Sequence, residues 1–439
     1  MNLAEKEVKD IQQAVYKLIQ QSDFKSAYGL LHTLLEHDPN DGIALNFMGI
    51  CHLENQNFPQ AYQFFRRALQ EKPNMAQVWT NFGLSAHELG RNKEAISSYL
   101  KSAELNNSYA KAYTNAAAVM IEEARWDEAE SLCRMALEAD PNDKNADMNL
   151  AHVYLARHDW ANGWRHWEKS LGCKYRKEWI YGDEPRWDGS PGKNLVVYGE
   201  QGLGDEIFYA SVIPDAIHVS NKVIIDCDPR LEALFRRSFP QAEVHGTRRD
   251  EHPAWLEDAR IDARVAMSSL PSFYRNKDAD FPGTSYLKAD PDLVRMFKGM
   301  FEGKKVYGLC THGGSKLTGA EYRKIEPEQF SPLFVLDAVF VSLDYKPLNH
   351  HSRIKELPWA TQAKDYDLTA ALIAACDAVI GVNTTAMHCA NALGVPAHIL
   401  IPEFHQWRYE GEYVWSKTAR LHHKSKEEKW RDVVKKVRL

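Results

Sequence analysis

Three short stretches combine residue types that can do chemistry. The first, GEQGLGDEIFYA (199–210), carries Gly199, Gly202 and Gly204 ahead of or beside Asp205. Glycines after a strand permit tight turns and let the backbone approach a ligand. Asp205 falls in the first turn of the following helix. A carboxylate there either complements the helix dipole or projects into a cleft as a general base. The spacing is not GxGxxG, so a dinucleotide fingerprint is not supported. The second stretch, THGGSKLTGAEYRKIEP (311–327), places Gly313 and Gly314 after a strand, with Arg323 and Lys324 beyond a polar loop. Such glycines with nearby cations suit a diphosphate, whose charge must be neutralised when it leaves; the alternative is a solvated loop. The third, GVNTTAMHCANALGVP (381–396), holds Asn383, Thr384, Thr385 and His388. Its hydroxyls and free backbone N–H groups can cap a helix or bind an anion at the helix N-terminus. His388 can hydrogen-bond a phosphate or sugar, or pack under the loop.

These stretches need a scaffold, and the chain from 194 onward supplies an α/β pattern. LVVYG (195–199), VIIDCD (223–228) and AEVHG (242–246) read as strands, separated by the helical stretches GDEIFYASVIPDAI and PRLEALFRRS. A second set contains strands VYGLC (306–310), VFVSLDY (339–345), AVIGV (378–382) and AHILIP (397–402). PEQFSPLF, LTAALIAAC and AMHCANAL read as the helices between them, and KEEKWRDVVKKVRL as a terminal helix. Alternation of this kind predicts parallel sheets, in two doubly wound units of similar size. The third chemical stretch then lies at the carboxyl end of a strand, where open α/β sheets bind ligands.

The first third follows a different rule. Ala27, Ala61, Ala95 and Ala129 recur every 34 residues, Pro39, Pro73 and Pro141 fall on the same grid, and Gly49, Gly83 and Ala117 share a column. Leu31, Phe65, Tyr99 and Cys133 share another. Small residues are needed where paired helices touch, and proline ends each second helix. The period resembles the tetratricopeptide repeat. Four repeats span 8–41, 42–75, 76–109 and 110–143, and a degenerate fifth spans 144–172 with Gly163 in its small-residue column. The resemblance implies a concave surface that binds a peptide or protein. Asn81, Asn115 and Asn149 also recur every 34 residues. They resemble the asparagine ladder of repeat-bearing O-GlcNAc transferases, which binds a peptide backbone; asparagine also serves plain repeat packing here.

The expected organisation is therefore an α-solenoid over 1–172, a linker over 173–193 and two Rossmann-like α/β domains over 194–300 and 301–439. Two such domains facing across a cleft make the GT-B architecture. EPRWDG, GEQGLGDEIFYASVIP, the HGG(x)K…RKI segment, FVSLDY, DLTAALIAACDAVIGVNTTAMHCANALGVP and the tail HQWRYEGEYVW together resemble glycosyltransferase family 9, the inverting heptosyltransferases and their relatives. The similarity is to the subgroup with an N-terminal repeat array. It implies a metal-independent inverting transferase with Asp205 as the base that deprotonates the acceptor. It implies that Arg323 or Lys324 contacts the donor diphosphate. Gly313, Gly314, Asn383, Thr384, Thr385 and His388 would line the phosphate cradle, and Asp367 and Thr369 would hold the ribose. Gly202 and Gly204 would lie on the acceptor side. Asn383 stands where many relatives have Asp, and Arg323 where they have Lys. DCD (226–228) and DAD (278–280) match the DxD metal pattern, but both are short, and the resemblance implies no metal.

The composition bounds these readings. The 439 residues have a net charge of −6 with 26% charged residues, which gives no reason to expect nucleic-acid binding. No apolar stretch is long enough to span a bilayer, and the charged N-terminus lacks the core of a signal peptide. Seven cysteines without CxxC spacing fit reduced thiols in a cytoplasm. The partners implied are a nucleotide-sugar and a protein or peptide acceptor on the repeats, with no separate cofactor. The competing readings are a glycan or lipopolysaccharide acceptor, and an inactive repeat scaffold with a relic α/β half.

Overall fold

The computed structural model describes residues 3–248, 250–257, 259–314, 320, 322–346, 350–403 and 405–439. It divides into two compact units, Met1–Val153 and Tyr154–Leu439.

The first unit is built from helical hairpins. α1 (Glu5–Gln20) packs on α2 (Phe24–His37), α3 (Gly42–Glu54) on α4 (Phe58–Glu71), α5 (Ala76–Glu88) on α6 (Asn92–Leu105), and α7 (Ala110–Glu122) on α8 (Trp126–Ala139). Asp23 and Asp41 cap α2 and α3, accepting from backbone N–H groups of the first turn. The 34-residue columns have a direct steric cause. A Cβ on Gly49 would lie 2.5 Å from the Phe65 ring, and one on Gly83 would lie 2.8 Å from the Tyr99 ring. The next repeat has Ala117 where the glycine was and Cys133 where the aromatic was, so volume is conserved between the columns.

α9 (Lys144–Ala156) and α10 (Trp160–Lys169) continue the period, but the division falls within α9. This differs from the boundary expected at 172. The cause is the tryptophan spacing of α10: Trp160, Trp164 and Trp167 lie on one face. Trp160 packs on Phe281 at 4.6 Å between ring centroids, and Trp164 on Trp407 at 6.1 Å. Their indole N–H groups donate to Asp278 Oδ1 (2.7 Å), the Arg275 carbonyl (2.7 Å) and Ser268 Oγ (3.0 Å), respectively. α10 is thus built into the α/β unit.

The remainder of the second unit carries two parallel sheets. β1 (Asn194–Tyr198), β2 (Lys222–Asp226), β3 (Glu243–His245) and β4 (Ala263–Ala266) form one, ordered β3-β2-β1-β4. β5 (Val306–Cys310), β6 (Val339–Ser342), β7 (Ile354–Lys355), β8 (Ala378–Val382), β9 (Ala397–Ile401) and β10 (Ala419–His423) form the other, ordered β10-β9-β8-β5-β6-β7. Every pairing is parallel. Each chain path runs outward from a central strand and then crosses to its other side. The switch points are β1/β4 and β5/β8, where doubly wound sheets bind ligands.

Some elements differ from the sequence reading. β4 was not expected because Arg264 interrupts ARVA. The guanidinium is buried and satisfied, donating to the Trp179 carbonyl (3.0 Å) and pairing with Glu178 (3.1 Å). The edge strand β10, ARLHH, was hidden by its polar residues, and the helix Pro291–Met300 was also unexpected. PEQFSPLF forms only a 3-10 turn, Pro327–Phe330, with Pro332 close behind it. The terminal helix shortens to Trp430–Val434. Among the described residues no helix is long and apolar enough to cross a membrane.

Because α10 is packed by its tryptophans, Trp164→Ala is expected to cost the second unit about 3–5 kcal/mol. Urea unfolding followed by circular dichroism measures the loss. Hydrogen exchange should rise across α10 and the helix Leu203–Tyr209 and stay unchanged in α3–α8.

Candidate functional site

The helix Leu203–Tyr209 begins just beyond β1, and the helix Thr385–Leu393 just beyond β8. The two pack on one another, and Gly204 makes this approach possible. A Cβ there would lie 3.0 Å from Thr385 Oγ1 and 3.5 Å from the His388 ring. The loops after the central strands of both sheets therefore converge.

Two adjacent carboxylates leave the first helix in different directions. Glu206 is buried within the first half, accepting from the Asp228 N–H at 2.9 Å and pairing with Arg248. Burial pushes its carboxyl up to about 8, against the pull of Arg248. Asp205 instead faces the second half. Its side chain is 32% exposed. Its Oδ1 accepts from Arg408 Nη1 and Nη2, both at 3.1 Å, and its Oδ2 lies 3.4 Å from the Gly202 N–H.

The second half supplies the opposing groups. Gly313, after β5, sits against the Thr384 methyl, so the loops after β5 and β8 touch. Arg323 is buried and donates to the Asn383 carbonyl at 3.0 Å. Burial pulls its guanidinium below the ordinary range. Thr384 is the N-cap residue of the second helix, with extended backbone, yet its side chain makes no capping hydrogen bond. The capping role expected for it is therefore not observed. His388, one turn in, is buried edge-on to Phe208 at 5.2 Å. Its Nε2 lies 3.5 Å from the Tyr409 hydroxyl, and its Nδ1 has no hydrogen-bond partner among the described residues. Burial, then Arg408 and Arg323, lower its pKa to about 3, so the imidazole is neutral at ordinary pH.

Arg408 was not singled out in the sequence. It lies in the turn Trp407–Tyr409, buried, with its guanidinium 4.4 Å from the Phe208 ring, 5.5 Å from Trp407 and 5.7 Å from Tyr209. The available signal was an arginine flanked by aromatics in HQWRYEGEYVW, which fits a stacked cation. Arg323 and Arg408 thus bring two buried guanidiniums close to the Asp205 carboxylate and the neutral His388 imidazole. With the uncapped helix N-terminus, this arrangement suits an anion.

Other expected residues lie apart from this group or serve other contacts. Lys324 is exposed and pairs with Glu326 at 2.8 Å. Asp367 forms a bidentate pair with Arg237 at 2.7 and 2.5 Å, clasping the two halves together. Thr369 Oγ1 donates to the Ala360 carbonyl at 2.8 Å. Gly202 and Gly314 are exposed, the latter with φ of 84°. Lys316, the lysine of the HGG(x)K segment, lies outside the described residues. In the first unit Asn149 donates to the Thr114 carbonyl at 3.0 Å and Asn81 lies 3.5 Å from Asn46, both buried. Those two amides bridge successive first helices, while Asn115 is half-buried. The DxD carboxylates have protein partners: Asp226 accepts from Tyr181 and Thr247, Asp228 from Arg230 and Arg248, Asp278 from Trp160, and Asp280 from backbone N–H groups. No cluster of three His, Cys, Asp or Glu side chains suited to a metal occurs among the described residues.

Family models of the tetratricopeptide repeat match residues 18–81 and 76–109, so the N-terminal region carries such repeats. The chain is 27% identical over 401 residues to Protein FlbA of Caulobacter vibrioides, covering 82% of this chain and 66% of that protein. It is 26% identical over 148 residues to Protein O-mannosyl-transferase TMTC3 of Homo sapiens, covering 30% of this chain and 16% of that protein. The chain thus spans less than two thirds of either relative. Among solved structures, Pseudomonas aeruginosa pilF aligns with a TM-score of 0.35 at 18% identity, over 37% of this chain and 74% of that one.

The burial of His388 predicts a pH effect. From the ordinary value of 6.5 down to about 3, the unfolded chain takes up a proton that the native site refuses. The stability from this group is complete above 6.5 and is lost as pH falls, with a limiting slope of about 1.4 kcal/mol per pH unit. His388→Gln should flatten the stability curve between these values by about one proton, as measured by urea unfolding at a series of pH values.

Proposed function

We propose that the chain is an inverting glycosyltransferase of GT-B architecture, with a nucleotide-sugar as donor and a protein recruited by the repeats as acceptor. The observation that carries this reading is Asp205: a partly exposed carboxylate facing two buried arginines where two helix N-termini meet, beyond the central strands of both sheets. The donor diphosphate would lie at the N-terminus of Thr385–Leu393, against Arg323 and Arg408, with Thr384 and His388 beside it. Asp205 would take the proton of the acceptor hydroxyl as its oxygen attacks the anomeric carbon from the face opposite the diphosphate. The bond to the diphosphate breaks, its electron pair leaves with the phosphate oxygen, and the two guanidiniums stabilise that charge. A relative named as an O-mannosyl-transferase supports sugar transfer as the reaction class. The repeat array supports a protein acceptor.

A second reading, an inactive scaffold, draws on Asn383 in place of the family's Asp. A thermal-shift screen with nucleoside diphosphates and nucleotide-sugars separates the two. Stabilisation by at least one of them is expected, and no stabilisation by any would sink the transferase. With a donor in hand, Asp205→Asn should lower turnover by about 10²–10⁴-fold without weakening nucleotide binding; an active variant would remove Asp205 from the role of base.

A further inference from the structure

Arg408 holds Asp205 in a geometry with a chemical consequence. Both terminal nitrogens contact the same oxygen, Oδ1, while Oδ2 has only the long contact with the Gly202 N–H. The guanidinium is buried among Phe208, Tyr209 and Trp407, and its Nε has no hydrogen-bond partner among the described residues. Asp205 is the less constrained member: it stands in the first turn of a short helix and is one-third exposed. Arg323, also buried, adds a second positive charge, and the N–H groups at the start of Thr385–Leu393 lack a side-chain cap. While Arg408 holds it, Oδ1 takes both guanidinium N–H donors and has no lone pair left for an acceptor hydroxyl. The same arginine is the stronger attraction for a diphosphate, which brings more charge and more acceptor oxygens than a carboxylate.

We propose that Arg408 is contested by Asp205 and the donor diphosphate, so that donor binding draws the guanidinium away and frees Asp205 Oδ1 to accept the acceptor's proton. This rests on the reading of the site as the donor's. Arg408 keeps its own proton throughout. The proton moves only from the acceptor hydroxyl to Asp205, and the leaving electron pair goes to the diphosphate. The device couples the base to the donor, since Oδ1 is released only when the leaving group is in place.

Competition of this kind is reciprocal: a carboxylate that opposes anion binding must, once neutralised, permit it. Inorganic pyrophosphate titrated calorimetrically into the full chain tests this. Asp205→Asn is expected to bind pyrophosphate about tenfold more tightly than the native protein. Arg408→Gln should bind it more weakly, and adding Asp205→Asn to Arg408→Gln should give no gain. Arg408→Lys, which keeps the charge, replaces Arg408→Gln if the latter does not fold; the gain from Asp205→Asn should then shrink. If the native protein binds pyrophosphate and Asp205→Asn binds it no better, the masking is overturned while the donor-site reading stands. A tenfold gain that persists without Arg408 would mean a general charge effect and also overturns it. If neither the native protein nor Asp205→Asn binds pyrophosphate or any nucleoside diphosphate, the donor-site reading falls, and the masking with it.

Discussion

The candidate site depends on one buried guanidinium. Arg408 loses most of its hydration, and a charge so placed is tolerated only with compensation. The compensation comes from both halves of the α/β unit: the Asp205 carboxylate and the rings of Phe208 and Tyr209 from the first, and Trp407 from the second. Trp407 in turn packs on Trp164 and Trp415, and Phe208 packs on Trp415 at 4.2 Å. The tryptophan cluster therefore supports the arginine, and the arginine joins the two sheets where their loops meet. A second clasp, Arg237 with Asp367, bridges the same halves through a different pair of helices.

Topology explains why chemistry collects here. Each sheet crosses over at its central strand, and the crossing leaves a crevice at the carboxyl ends of β1/β4 and β5/β8. Asp205 follows β1, Gly313 follows β5, and Asn383 to His388 follow β8. Residues far apart in the chain become neighbours because these strands are central. The glycine at 204 is the steric condition for their meeting, since any side chain there would press on Thr385.

The repeat unit obeys a simpler economy of volume. Gly49 faces Phe65 and Gly83 faces Tyr99, so the columns seen at 34-residue spacing are complementary shapes. The asparagine column has a comparable local use at two positions. Asn149 satisfies the Thr114 carbonyl and Asn81 reaches Asn46, each from one first helix to the next. An amide buried between helices must find such partners or lose stability.

Features encoded over a few neighbouring residues could be read from the chain alone. The 34-residue columns, the apolar strands such as LVVYG and AVIGV, and the glycine and threonine loops after them all follow from local sterics and burial, which leave a period in the chain. Asp205, Thr384 and His388 could be placed at strand–loop–helix junctions from the sequence and Arg323 beyond a polar loop, while their expected roles came from the resemblance to glycosyltransferase family 9. The remaining features depend on contacts formed through space. β4 was hidden because Arg264 is neutralised by Glu178, 86 residues earlier. α10 carried the repeat's period, but its tryptophans packed it into the α/β unit. Arg408 meets Asp205 across 203 residues, and Asp367 spends its carboxylate on Arg237 across 130. Ion pairs and ring contacts act through space and impose no spacing along the chain, so their partners emerge only when the sheets bring them together.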